Sequence, residues 1–332
     1  MDFKGLKVLV TGAEGFIGSH LVEALVAAGA SVRAFVWYNS FSRWGWLETP
    51  HVSGALIDAI EIFPGDIRDT GRVRAAVNGC DVVFHLASLI AIPFSYLSPG
   101  SYVDTNVGGA LNVLEACRAE GVQCLVHTST SEVYGTALRV PIDETHPLQG
   151  QSPYSASKIG ADALAESYQK AFGLPVVTVR PFNTYGPRQS ARAVIPTILS
   201  QLHAGATRLR LGSLAPTRDF TFVVDTVRGF LAAAGCEPAL GHVVNLGSGR
   251  EISIGDLARM LCEVTGQDAE IEVDPGRLRP SESEVERLCA GTGRAAAWLK
   301  WAPQVSLREG LQRTSDWIRA HPEAFKAAVY NV

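Results

Sequence analysis

The sequence predicts an α/β protein: a doubly wound parallel sheet followed by a smaller C-terminal lobe that holds the substrate. Three observations carry this. Short β-branched or apolar runs at 8–10, 32–36, 81–85, 124–128 and 176–179 alternate with longer amphipathic stretches, the sequence form of repeated βαβ units. The first run leads directly into a glycine-spaced turn that opens a helix. After Pro181 the rhythm breaks, and Gly, Pro and Arg become frequent through Pro187, Pro196, Pro216, Pro238, Pro275 and Pro280. Residues 1–180 are therefore assigned to a dinucleotide-binding domain and 181–332 to the second lobe. Within the latter, 219–246 is expected to return to the sheet through runs at 220–224 and 243–246.

Helices are expected at 19–28, 103–118 and 157–172, with Gly29, Gly121 and Gly173 where each should stop. Glycine takes the left-handed conformation of a helix C-cap at little cost. The first run continues into Thr11-Gly12-Ala13-Glu14-Gly15-Phe16-Ile17-Gly18. In this strand-turn-helix setting Gly12 permits the tight turn, Gly15 lets the backbone approach a pyrophosphate, and Gly18 lets helix and strand pack closely. Phe16 and Ile17 open the helix whose N-terminus favours the phosphates. The spacing is G-x-x-G-x-x-G rather than G-x-G-x-x-G, and its position after the first strand points to a Rossmann sheet that binds NAD(P).

An acid that grips the adenosine ribose is expected at the end of the second strand when the cofactor is NAD. Val36, Trp37, Tyr38 and Asn39 stand there instead. Arg43 could meet the 2′-phosphate of NADP or be a solvated loop charge, and the reading favours NAD without excluding NADP. Trp37, Tyr38, Phe41, Trp44 and Trp46 make a loop that could cover the adenosine, pack on the sheet or meet a neighbouring subunit. Asp66 and Ile67, at the end of the third strand, are candidates for the adenine. Leu86 and Ala87 follow the fourth strand and are expected to face the cofactor. His85 is grouped with the substrate side, lining the cofactor rather than donating a proton.

Tyr154 and Lys158 stand four residues apart, hence on one face of a helix. An unperturbed tyrosine is a poor base at neutral pH, and an adjacent ammonium with an oxidised nicotinamide would favour its phenolate. The strand before this helix ends in His127-Thr128-Ser129-Thr130-Ser131-Glu132-Val133-Tyr134-Gly135, bringing hydroxyls and a carboxylate to the edge where open α/β sheets bind ligands.

Composition narrows the partners. A chain of 332 residues, 47% hydrophobic, with net charge −4 and no dense Lys/Arg run, lacks the footprint of a nucleic-acid or membrane-surface binder. No secretory signal or apolar run of about 18 residues is seen, so a soluble cytoplasmic protein is expected. The six cysteines form no Cys-x-x-Cys pair and the eight histidines no zinc pattern, so neither disulfides nor a metal are expected.

The glycine loop, the 128–135 segment, Tyr154-x-x-x-Lys158 and Pro181-Phe182-Asn183-Thr184-Tyr185-Gly186-Pro187-Arg188 resemble, nearly end to end, extended short-chain dehydrogenases/reductases acting on nucleotide sugars. Thr130-Ser131-Glu132 is similar to the GDP-mannose 4,6-dehydratase form; many dTDP-glucose dehydratases carry Asp where Ser131 stands, and 4-epimerases usually lack the glutamate. Tyr38-Asn39-Ser40-Phe41, Trp44-Gly45-Trp46-Leu47, Ser152-Pro153-Tyr154 and Arg188-Gln189-Ser190-Ala191-Arg192 resemble the dehydratases of bacterial legionaminic acid pathways, which act on UDP- or GDP-N-acetylglucosamine. Gly291-Thr292-Gly293-Arg294 and Lys300-Trp301 depart from the usual Asp-Asn-Ser-Lys and Gly-Trp, a difference expected to touch packing rather than mechanism.

The resemblance implies a 4,6-dehydratase. Tyr154 would take the C4 hydroxyl proton, Thr130 bind O4, Glu132 remove the C5 proton and assist loss of the C6 hydroxyl, and Ser131 orient or relay. Thr128, Tyr154 and Lys158 would also meet the nicotinamide side of the cofactor. Asn183, Arg192, Arg218 and Arg279 match family positions that hold phosphates or nucleotide. A homodimer is implied, with a tetramer where the Trp-rich loop meets a neighbour. A nucleotide-sugar 4-epimerase and a noncatalytic NAD(P)-binding sensor or scaffold are the alternatives.

Overall fold

The computed structural model describes residues 1–48 and 54–326. Seven parallel strands form its central sheet: β1 (Lys7–Thr11), β2 (Ser31–Trp37), β3 (Ile60–Gly65), β4 (Val82–His85), β5 (Cys124–Thr128), β6 (Val176–Pro181) and β7 (Val243–Leu246). Their spatial order is β7-β6-β5-β4-β1-β2-β3. The order reverses between β1 and β4, which is where such a sheet opens a crevice for ligands at its carboxyl edge.

The helices that matter are α1 (Phe16–Ala27), α2 (Thr70–Val77), α3 (Gly109–Glu120), α4 (Pro153–Phe172), α5 (Val194–His203), α6 (Val223–Ala233), α7 (Ile254–Thr265) and α8 (Leu307–Ala320). Successive strand residues point to opposite faces, and both faces are covered. Val8 and Val10 pack with Leu21 and Leu25 of α1 and Phe230 of α6, while Leu9 packs with Val73 of α2 and Val113 and Leu114 of α3. The first core continues without a break into the C-terminal lobe through Ile198 of α5, Leu257 of α7 and Leu311 of α8.

Local signals set the helix ends. Gly29, Gly121 and Gly173 all have positive φ, and the last two are the C-caps of α3 and α4. The 103–118 expectation holds as a helical run, but Val103–Gly108 is a π-type turn before α3 begins. Such turns often mark functional places in a helix. Here Asn106 is buried and its side chain bonds both backbone polar groups of Leu89, as well as Ser157 Oγ of α4.

One strand expectation is corrected. Residues 243–246 join the sheet beside β6, but Phe220–Phe222 does not. It pairs with Asn183–Tyr185 in a separate ladder, where the Tyr185 ring meets both phenylalanines edge-on at 6.1 and 5.6 Å. Val223 and Val224 then begin α6. Burying this aromatic group under α8 is what keeps the segment beyond the sheet.

Candidate active site

The phosphate loop is shaped by close approach. Gly12 has φ +67°, and a Cβ there would lie 3.0 Å from the backbone of Ala87. A Cβ on Gly18 would collide with the carbonyl of Gly12, so α1 can start only against a bare glycine. Gly15 is the N-cap of α1 without a side-chain cap, leaving first-turn N–H groups for an anion. Thr11 Oγ1 accepts from Leu86 N and Ala87 N, each at 3.1 Å, and meets His85 Nδ1 at 2.9 Å. His85 is thus buried against the cofactor loop. Desolvation holds its imidazole well below the usual range, with His127 and Lys158 adding to the effect, so it is neutral and buttresses the loop.

At the adenosine end, Tyr38 is exposed and its N–H bonds Gly65 O at 3.2 Å. Asp66 is clamped by Arg68, with Nη2 at 2.6 Å from Oδ2, and that hydrogen bond holds its carboxyl below the ordinary value. Ile67 is buried where a Cβ on Gly109 would meet it at 2.8 Å.

Helix α4 brings the reactive pair into the cleft. Ser152 and Ser155 form a reciprocal capping box and Pro153 opens the first turn, which fixes Tyr154 at the helix entrance and Lys158 one turn on. Lys158 Nζ donates to Thr128 O at 2.6 Å. Thr128 Oγ1 is buried without a partner among the described residues. Thr130 caps the Ser131–Tyr134 turn by accepting from Glu132 N at 3.2 Å. Ser131 and Glu132 are buried, and the Glu132 carboxylate makes no hydrogen bond with the described residues.

Burial dominates the electrostatics of this pair. Burial pushes the Tyr154 phenol well up, with Glu132, Tyr102 and Asp162 adding to the rise and a hydrogen bond with Thr130 opposing it. The Lys158 ammonium is engaged by the Thr128 carbonyl. Burial lowers Lys158 itself to about 8, against the pull of Asp162.

The substrate-side residues fall into three places. Asn183 follows β6, and its Oδ1 is buried and has no hydrogen-bond partner among the described residues. Arg192 is exposed but near enough to Tyr102 to oppose the rise that burial causes in that phenol, and Tyr102 lies edge-on to Tyr154 at 6.2 Å. Arg218 and Arg279 converge on one carboxylate oxygen, Glu284 Oε1, at 3.2 and 3.5 Å. Two guanidinium groups held by one shared acid suit a diphosphate.

Sequence reasoning missed Glu284, Asn106 and a buried network behind α4. There Asp162 binds His127 Nε2 at 3.1 Å, Ser129 Oγ at 2.7 Å and Arg180, and Arg180 Nη1 reaches the Tyr134 hydroxyl at 3.0 Å. Only Asp162, one turn beyond Lys158, carried a signal. The glycine cradle and the orphaned Thr128 hydroxyl fit a dinucleotide. Among the described residues no His/Cys/Asp/Glu group could hold a metal ion, and no helix is long and apolar enough to cross a membrane.

Comparison with known proteins gives a family. The sequence model described as GDP-mannose 4,6 dehydratase matches residues 9–314. A UDP-glucose 4-epimerase of Mycolicibacterium smegmatis is 36% identical over 95% of this chain and 99% of its own length. A dTDP-glucose 4,6-dehydratase of Streptomyces antibioticus is 34% identical over 95% of this chain and 92% of its own. Among solved structures, Pal from Bacillus thuringiensis superposes with a TM-score of 0.86 at 31% identity, covering 95% of this chain and 99% of that one. The dTDP-glucose 4,6-dehydratase DesIV of Streptomyces venezuelae, with NAD and DAU bound, gives 0.84 at 30%, covering 94% and 96%. The chain belongs to the GDP-mannose 4,6-dehydratase family, extended short-chain dehydrogenases/reductases among whose members here are nucleotide-sugar 4,6-dehydratases and 4-epimerases.

Proposed function

We propose that this protein is an NAD-dependent nucleotide-sugar 4,6-dehydratase acting on UDP- or GDP-N-acetylglucosamine. The observation that carries the reading is Glu132: a largely buried side chain whose carboxylate makes no hydrogen bond with the described residues, at the carboxyl edge of β5 and close enough to raise the Tyr154 phenol. Gly12, Gly15 and the α1 N-terminus would hold the cofactor's pyrophosphate, and Thr128 with Lys158 its nicotinamide side. Bound there, NAD supplies an acceptor for the C4 hydride and returns that hydride at C6.

The side chains manage the protons. Tyr154 accepts the O4 proton while Thr130 bonds O4. Burial keeps the phenol protonated in the free protein, so a positive charge brought beside it is needed before it can act. The resulting ketone acidifies the C5 proton. Glu132 takes that proton and, once protonated, gives it to the departing C6 hydroxyl, so one water leaves; return of the hydride to C6 then leaves an enolate that takes up a proton at C5, balancing the proton removed from O4. Arg218, Arg279 and Asn183 hold the nucleoside diphosphate.

A 4-epimerase is the second reading, favoured by the 36% identity to such an enzyme over 95% of this chain. Product mass separates the two. Incubation with UDP- and GDP-N-acetylglucosamine, GDP-mannose and dTDP-glucose is expected to give a loss of about 18 Da, one water, from an N-acetylglucosamine nucleotide and none with Glu132→Gln. Unchanged mass with inversion at C4 would establish the epimerase. Bound cofactor without change in any of these sugars would overturn the proposed activity and favour a binding role.

A further inference from the structure

The end of β2 lacks the acid that a dinucleotide-binding sheet uses to accept from the adenosine ribose. The structure supplies a carboxylate there from another element. Glu14, between the first two glycines of the phosphate loop, reaches across so that its Oε1 accepts from Trp37 N at 2.8 Å, at the last residue of β2. Its other oxygen, Oε2, is buried and has no partner among the described residues. The loop after β2 closes against it: Trp46 N donates to Glu14 O at 3.1 Å, and a Cβ on Gly45 would lie 2.7 Å from that carbonyl. Desolvation raises the Glu14 carboxyl, opposed by the hydrogen bond from Trp37.

We infer that Glu14 accepts from the adenosine ribose 2′-hydroxyl and so sets a preference for NAD over NADP. The inference rests on the cofactor reading above and identifies the residue that reads the ribose. One hydroxyl donor would satisfy the idle oxygen. A 2′-phosphate has none to give when ionised and brings about two negative charges to a carboxylate. The nearby cations do not offset this: Arg68 is already paired with Asp66 and lies 5.6 Å over the Trp37 ring, and Arg43 is exposed in the loop.

The test is a competition. Purified protein is exchanged against equal excesses of NAD, NADP and an NAD analogue with a 2′-deoxy adenosine ribose, and the retained nucleotide is identified chromatographically. Wild type is expected to retain NAD over both rivals. Glu14→Gln keeps an acceptor for Trp37 N, and is expected to narrow the preference over NADP by about tenfold or more and to lose discrimination against the deoxy analogue. Glu14→Asp, which keeps the charge, should still exclude NADP. An unchanged NAD:NADP ratio in Glu14→Gln, even with both weakened, overturns the role of Glu14 alone. Retention of neither dinucleotide by wild type overturns it together with the cofactor reading.

Discussion

Asp162 and Arg180 meet behind the catalytic helix, with Arg180 Nη2 and Nε at 2.8 and 3.1 Å from the same Asp162 oxygen. Both side chains are buried. Burial alone would raise the Asp162 carboxyl, yet the hydrogen bond from His127 and the charge of Arg180 hold it down to about 2. The pair joins α4, which carries Tyr154 and Lys158, to β6 and, through Tyr134, to the turn that carries Glu132. Removing one partner leaves the other charge buried and unmatched. Asp162→Asn is therefore expected to cost about 3–5 kcal/mol of stability in denaturant melts. The double variant Asp162→Leu/Arg180→Met should recover part of that loss but not the activity.

Asn183 presents the opposite balance. Its Oδ1 is buried with no partner among the described residues, so the fold gains little from it. Asn183→Ala should change stability by less than about 1 kcal/mol while raising KM for the nucleotide sugar about tenfold. Steady-state kinetics beside a melt would check both, and a large stability loss with unchanged KM would assign Asn183 to the fold.

What the sequence made legible was local. The glycine spacing after β1, the Ser152-Pro153 helix start and the Tyr154/Lys158 turn each sit within a few residues and carry their own geometry. The partner of Phe220–Phe222 was not legible, since a three-residue strand fits the sheet or the Asn183–Tyr185 ladder equally well by pattern. Likewise, Arg218 and Arg279 stand out as cations, but Glu284 becomes meaningful only when both reach the same oxygen. Glu14 carried no signal in the sequence, because its contact with Trp37 spans 23 residues and depends on how closely the loop meets β2.

Lys300 shows that a departure from the family pattern can be structural. It is the C-cap of the Gly293–Leu299 helix with φ +52°, where a glycine is usual in the family the sequence resembles. A left-handed conformation costs a side-chain-bearing residue about 1–2 kcal/mol. Trp301 cannot shift to relieve it, because its Nε1 bonds Asp225 O at 2.9 Å in the core. Lys300→Gly is expected to raise stability by about 1 kcal/mol after glycine's greater unfolded-chain entropy is deducted. Lys300→Ala should give no such gain. Thermal melts of both variants distinguish relief of backbone strain from loss of a surface charge, and activity should be unchanged in each.

Lys158 gives a pH signature of its own. Burial lowers its ammonium from the ordinary 10.5 to about 8 in the folded protein. Between those values this lysine is protonated in the unfolded chain more than in the folded one, so its own contribution to stability rises with pH from about 8 upward. The full relief is on the order of 3 kcal/mol, most of it gained before pH 10. Tyr154 and the buried cysteines, whose acidic groups burial raises, work in the reverse sense at alkaline pH, and both cancel when only Lys158 is changed. Wild type and Lys158→Met should therefore be compared by denaturant melts from pH 7 to 9.5. The difference between them is expected to move in favour of wild type as pH rises, since methionine has no ammonium to neutralise. A difference that stays flat across that range would mean that Lys158 is not held at a depressed pKa, and that its contact with Thr128 O fully repays the cost of burying the charge.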